Sequence, residues 1–106
     1  MKLYNLTNFT GGWVVGNFYP CIFPLKEAEV CIKRYNSGDK DAAHYHSKAE
    51  ELTIVISGTV QFNNIRFEPD DIILIEKNEV VKFEAITDAV TCVIKVPSVT
   101  GDKHLV

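Results

Sequence analysis

Hydrophobic and polar positions alternate with the two-residue period of strands along nearly the whole chain. Trp13-Val14-Val15 follows a Gly11-Gly12 turn and leads on to Asn17-Phe18-Tyr19 before Pro20. Glu29 to Tyr35 alternates and stops at the turn-forming stretch Asn36-Ser37-Gly38-Asp39. Glu51 to Ile56 is rich in β-branched residues and ends at Ser57-Gly58. Thr59–Phe62 and Ile65–Phe67 flank Asn63-Asn64, a pair that tolerates left-handed backbone and predicts a two-residue hairpin turn. Ile72-Ile73-Leu74-Ile75 is a continuous apolar run, the pattern of a strand covered on both faces. Val80–Glu84 and Val90–Val96 complete the set, with Pro97 closing the last strand. Only Leu25–Glu29 has helix-forming composition, and it is too short to hold a helix by itself. The polar stretch 98–106 is expected to dock loosely, which leaves one domain with a core over about 11–97.

Short strands with frequent turn signals describe a sandwich, a barrel or a double-sheet jelly roll, and periodicity alone does not choose among them. Composition narrows the class of protein. With 106 residues, 46% hydrophobic and 24% charged, the chain suits one globular domain and not a disordered one. A formal net charge of −3 with dispersed lysines and arginines gives no footprint for nucleic acid. No apolar run approaches the length of a membrane span, and Met1–Asn8 lacks the apolar core of a secretory signal, so a cytoplasmic protein is expected. On that reading the sequons at Asn5 and Asn8 are chance matches. Cys21, Cys31 and Cys92 are odd in number and widely spaced, and read as structural thiols with Cys21 the most exposed.

One group of residues carries chemistry. Five residues separate Gly38 from His44, one separates His44 from His46, four separate His46 from Glu51, and six separate Glu51 from Gly58. Residues two apart on a strand share a face, so the two imidazoles stand side by side. A turn at Ser47-Lys48-Ala49 folds the chain back and brings Glu51 to the start of the next strand. Two imidazoles and a carboxylate are a ligand set for a divalent transition metal, Fe, Mn, Zn or Ni, with open positions for water or substrate. Without a metal, the same groups line a polar pocket.

These residues match the first motif of the cupin superfamily (G-x5-H-x-H-x3,4-E-x6-G) at every fixed position, and the chain resembles the small stand-alone cupins. The resemblance implies an all-β double-stranded β-helix, a jelly-roll barrel with its ligand pocket inside, commonly dimeric. The second motif (G-x5-P-x-G-x2-H-x3-N) is degenerate here. Asp70, Glu76 and Asn78 stand for the first glycine, the proline and the second glycine, Val81 for the fourth metal ligand and Ala85 for the asparagine. Asn78 still suits the left-handed turn. Metal therefore falls to His44, His46 and Glu51 alone.

Around that site, Thr53 and Val55 share Glu51's face, Val81 and Phe83 give an apolar wall, and Tyr45 points away. Arg34 binds an anion only if it faces inward, and the outward orientation is the expected one. His104 reads as a solvent-exposed tail residue. The function that follows is a metal-binding cupin taking a small organic ligand, a sugar or a carboxylic acid, as a homodimer without nucleic-acid or membrane partners. If it is an enzyme, a metal-dependent isomerase or oxygenase type is expected. The alternatives are a sugar or sugar-nucleotide isomerase or epimerase using a pocket histidine as acid/base, and a metal-free, non-catalytic binding or sensor module.

Overall fold

A computed structural model describes residues 1–106. The chain forms ten strands: β1 (Trp13–Val15), β2 (Glu29–Tyr35), β3 (Lys40–His46), β4 (Glu50–Ser57), β5 (Val60–Phe62), β6 (Ile65–Phe67), β7 (Ile72–Ile75), β8 (Val81–Ala85), β9 (Ala89–Val96) and β10 (Lys103–Leu105). They make two five-stranded antiparallel sheets, ordered β1-β2-β9-β4-β7 and β10-β3-β8-β5-β6. Leu25–Glu29 forms no helix. The only helical turns are short 3-10 segments at Leu6–Asn8 and Thr10–Gly12, before β1.

The turns follow from residue type. Asn63 and Asn64 both take positive φ, 50° and 68°, and close the β5–β6 hairpin. Asp70 and Asn78, at two glycine positions of the second motif, also lie in the left-handed region at φ 77° and 65°. Both positions thus take a turn conformation that a glycine would also allow. Gly58 has φ 78°, and a Cβ there would come within 2.1 Å of the Asp88 carbonyl oxygen. Only glycine fits that close approach.

Inward side chains alternate with outward ones. Val55, Val60, Phe62, Val81, Phe83 and Ala85 belong to one buried cluster that fills part of the space between the sheets. Burial raises the thiol pKa of inward-facing Cys31 to about 11, so this cysteine is inert. Ile72-Ile73-Leu74-Ile75 departs from the expectation of a strand covered on both faces. β7 is an edge strand, with Ile75 buried but Ile72 62% and Leu74 54% exposed on the outer face. Beside them Leu52, Ile54, Cys92 and Ile94 continue the same apolar outer face across β4 and β9. A continuous apolar run marks a strand with two apolar sides, and here one side lacks a cover within the protomer.

Residues 98–106 were expected to dock loosely, and the structure gives them a definite seat. β10 pairs with β3, with Lys103, His104 and Leu105 opposite His46, Tyr45 and His44. The cause is Asp102, only 5% exposed, whose carboxylate accepts hydrogen bonds from the backbone N–H groups of Ser47, Lys48 and Ala49 and from the Ser47 hydroxyl at 2.9–3.1 Å. Burial works to raise its pKa, but those hydrogen bonds outweigh it and hold the carboxyl at about 2. His104 keeps a side chain 41% exposed, in line with the expected solvated residue, while stacking on Tyr45 at a centroid distance of 5.0 Å and standing 3.1 Å from the Ser47 hydroxyl.

A carboxyl whose pKa is depressed on folding stabilises the fold above its unfolded value and loses that contribution as pH falls through the folded one. Asp102→Asn is therefore expected to cost about 2 kcal/mol at neutral pH, the scale of hydrogen bonds to a buried charge. Urea unfolding would check it: the difference between variant and wild type should shrink between about pH 4 and pH 2. A cost that is unchanged across that range contradicts the clamp.

Candidate functional site

Three residues, Ser47-Lys48-Ala49, join β3 in one sheet to β4 in the other. The crossing places His44 and His46 on one wall of the barrel and Glu51 on the facing wall. All three line one cavity of about 430 Å3, which Thr53, Phe62 and Phe83 also line. Both histidines are buried, at 6% and 5% exposure, and their rings meet edge to face at 5.2 Å between centroids. His44 Nδ1 lies 2.8 Å from the Ala42 carbonyl oxygen, so Nδ1 carries the proton and Nε2 the lone pair. Thr53 donates a hydrogen bond to Glu51 at 3.4 Å. Val81 sits directly opposite His44 in the β3–β8 ladder, which makes an apolar neighbour of the position where the second motif has its histidine.

The side chain that organises the centre is Lys95. In the β4–β9 ladder it is the direct partner of Glu51, so both point into the barrel. Its ammonium donates to His46 Nε2 at 3.2 Å and stands 3.9 Å from Glu51 Oε1. Desolvation, then the charge of Lys95, then the nearby His44 lower the His46 pKa to about 4, which keeps this imidazole neutral at physiological pH.

The donor types suit a divalent metal, but their arrangement does not. No three His, Cys, Asp or Glu side chains come together as a metal-holding group. Lys95 instead holds a positive charge against two of the three expected ligands. A divalent ion would meet that charge at short range, so the residues as they stand do not fit it.

Other lining residues lay outside the sequence reading: Trp13, Lys33, Tyr35, Lys40, Asp41 and Lys103. The Lys33 and Lys95 ammonium groups stand 5.5 and 5.3 Å from the centre of the Trp13 ring. Lys103 pairs with Asp41 at 2.7 Å. Burial raises the pKa of the Tyr35 phenol, which stays protonated. The alternation of Lys33 and Tyr35 with Cys31 was the signal that they face inward. Lys95 is the one charged residue of a mostly apolar strand and was readable in the same way. Arg34 is exposed and stands opposite Val90 on the outer face, outside this cavity, as expected. Val55 and Phe83 are inward as expected, and Val81 lies in the core cluster rather than on the cavity wall.

No family model and no curated protein sequence matches the chain. Solved structures do. A conserved protein with a double-stranded β-helix domain from Klebsiella pneumoniae superposes with a TM-score of 0.71 at 16% identity, over 98% of this chain and 90% of that one. A sugar phosphate isomerase of the cupin superfamily from Silicibacter pomeroyi gives a TM-score of 0.58 at 22% identity, over 66% and 50%. A bacterial pirin in complex with nickel(II), from Escherichia coli, gives 0.69 at 13% identity, over 82% and 39%. The chain spans half the length of the isomerase and less than half of the pirin. Two facing antiparallel sheets, a complete first motif at the β3–β4 crossing and these superpositions make the chain a double-stranded β-helix protein of the cupin fold.

Proposed function

We propose that this protein binds a small organic molecule, of the sugar or carboxylic acid class, inside its barrel. The observation that carries this reading is the shared cavity of about 430 Å3, where His44, His46, Phe62 and Phe83 on one sheet face Glu51 and Lys95 on the other. That volume is within the range of small-molecule sites, and the lining, mostly polar with a few aromatic faces, offers groups to fix a ligand's orientation. A divalent Fe, Mn, Zn or Ni ion on His44, His46 and Glu51 is the second reading. It is favoured by the His44–Ala42 hydrogen bond, which leaves Nε2 as an acceptor, and it requires Lys95 to withdraw. A thermal-shift screen with sugars and organic acids, run beside metal analysis of untagged protein, tests both. Ligand stabilisation that is lost in His44→Ala and Glu51→Ala supports the first reading, and failure of every compound overturns it. A stoichiometric metal that disappears in the same variants supports the second, and protein that stays metal-free after incubation with each ion removes it.

Isomerisation or epimerisation of a sugar is supported by one specific contact. His44 lines the cavity with Nδ1 on the Ala42 carbonyl oxygen, which leaves Nε2 as an uncommitted acceptor, a base for moving a proton at carbon. Such chemistry exchanges the abstracted proton with solvent. Sugar phosphates incubated with the protein in heavy water should then gain deuterium at carbon, a gain lost in His44→Ala. No exchange with any of them leaves binding without this catalysis.

The reading takes the protein to work in the cytoplasm as a homodimer. No helix is long and apolar enough to cross a membrane. The outer face carries exposed Ile72 and Leu74 beside half-buried Leu52 and Ile94, and a two-fold pairing of identical faces is the commonest way to cover such a patch. Light scattering should give twice the 11.9 kDa chain mass, and Leu74→Glu should give the chain mass. A monomeric wild type overturns the dimer.

A further inference from the structure

The misfit between the metal donor set and the group that stands in it has a chemical consequence. We propose that Lys95 is the resident cation of this barrel, and that the pocket takes, without a metal ion, the carboxylate or phosphate of a small molecule. The proposal rests on the pocket reading above and narrows its ligand to an anion.

Position is the first argument. Lys95 is held on the cavity wall by its ladder partner Glu51, at 3.9 Å, and by His46 Nε2, at 3.2 Å. An ammonium has three donors, and the protein takes one of them in a hydrogen bond, to His46. Glu51 lies beyond hydrogen-bond distance and serves as a counter-charge. The remaining donors suit anionic oxygens.

Charge is the second argument. Four lysines line this cavity, Lys33, Lys40, Lys95 and Lys103, against two carboxylates, Asp41 and Glu51. Asp41 is taken by Lys103 at 2.7 Å and Glu51 faces Lys95, so Lys33 and Lys40 are left as excess positive charge. The whole chain carries a formal charge of −3, so this concentration of cations runs against the protein's overall sign. Lys33 and Lys95 also approach one indole, that of Trp13, at 5.5 and 5.3 Å. Drawing two ammonium groups to a single ring costs repulsion, which an anion between them relieves and a divalent cation worsens. The aromatic faces of Trp13, Phe62 and Phe83 leave room for a carbon framework beside the charge.

Calorimetry on the full chain, stripped with a chelator, tests the proposal with inorganic phosphate, a hexose phosphate, citrate, gluconate and neutral glucose. Binding of at least one anion is expected, phosphate and carboxylate arms being told apart by which compounds give heat. Neutral glucose should bind less tightly than its charged counterparts. Lys95→Met, verified as folded by circular dichroism, should weaken the anion by about tenfold or more, the scale of one lost charge-assisted contact. Lys33→Met should weaken it less, and gives the same comparison if the first variant does not fold. After incubation with nickel or zinc and dialysis, the wild type should stay metal-free while Lys95→Met gains a bound ion. No anion binding at millimolar concentration overturns the proposal, as do equal affinities in wild type and both lysine variants, or a stoichiometric metal in the wild type. Glucose bound equally well by wild type and Lys95→Met would leave the pocket reading standing and remove this one.

Discussion

The crossing from one sheet to the other at Ser47-Lys48-Ala49 is the constraint on which the site depends. In three residues the chain leaves β3, where it carries His44 and His46, and enters β4, where it carries Glu51 on the opposite wall. A turn this short exposes backbone N–H groups that neither sheet can satisfy, and buried donors left unpaired are costly. Asp102 supplies the acceptor for all three N–H groups. That contact explains why a polar tail becomes a strand: once Asp102 is anchored, Lys103–Leu105 run alongside β3 and pair with it. The far end of the chain therefore positions the two histidines as surely as their own strand does.

Much of this was legible in the sequence. Period-two alternation identified nearly every strand, and the barrel followed from the resemblance of Gly38, His44, His46, Glu51 and Gly58 to the first cupin motif. What alternation could not show was partnership across the barrel. Lys95 reads as the one charged residue of a mostly apolar strand, and its importance comes from register, since it lies opposite Glu51 in a ladder formed by segments distant in sequence. The tail was misjudged for the same reason. Asp102 is an ordinary acidic residue until the β3–β4 turn is brought against it. Asn17-Phe18-Tyr19 had the look of a strand continuing β1, yet β1 ends at Val15.

The missing fourth ligand and the resident lysine fit together. At the second motif, Asp70 and Asn78 take turn conformations while the ligand position is Val81, packed in the core opposite His44. A site with a valine on one strand and an ammonium on another presents a single positive charge where a cupin metal centre would have its ion. Glu51 and His46 then act as the counter-charge and acceptor that hold that charge in place, a role that needs the same residue types as metal ligation.

The most direct test is a crystal structure of the wild-type protein grown with both nickel and phosphate, with anomalous diffraction at the nickel edge. The account predicts no anomalous peak between His44, His46 and Glu51, with Lys95 on His46 and an anion seated against its ammonium. A strong peak on those three residues, with Lys95 turned out of the barrel, would contradict it.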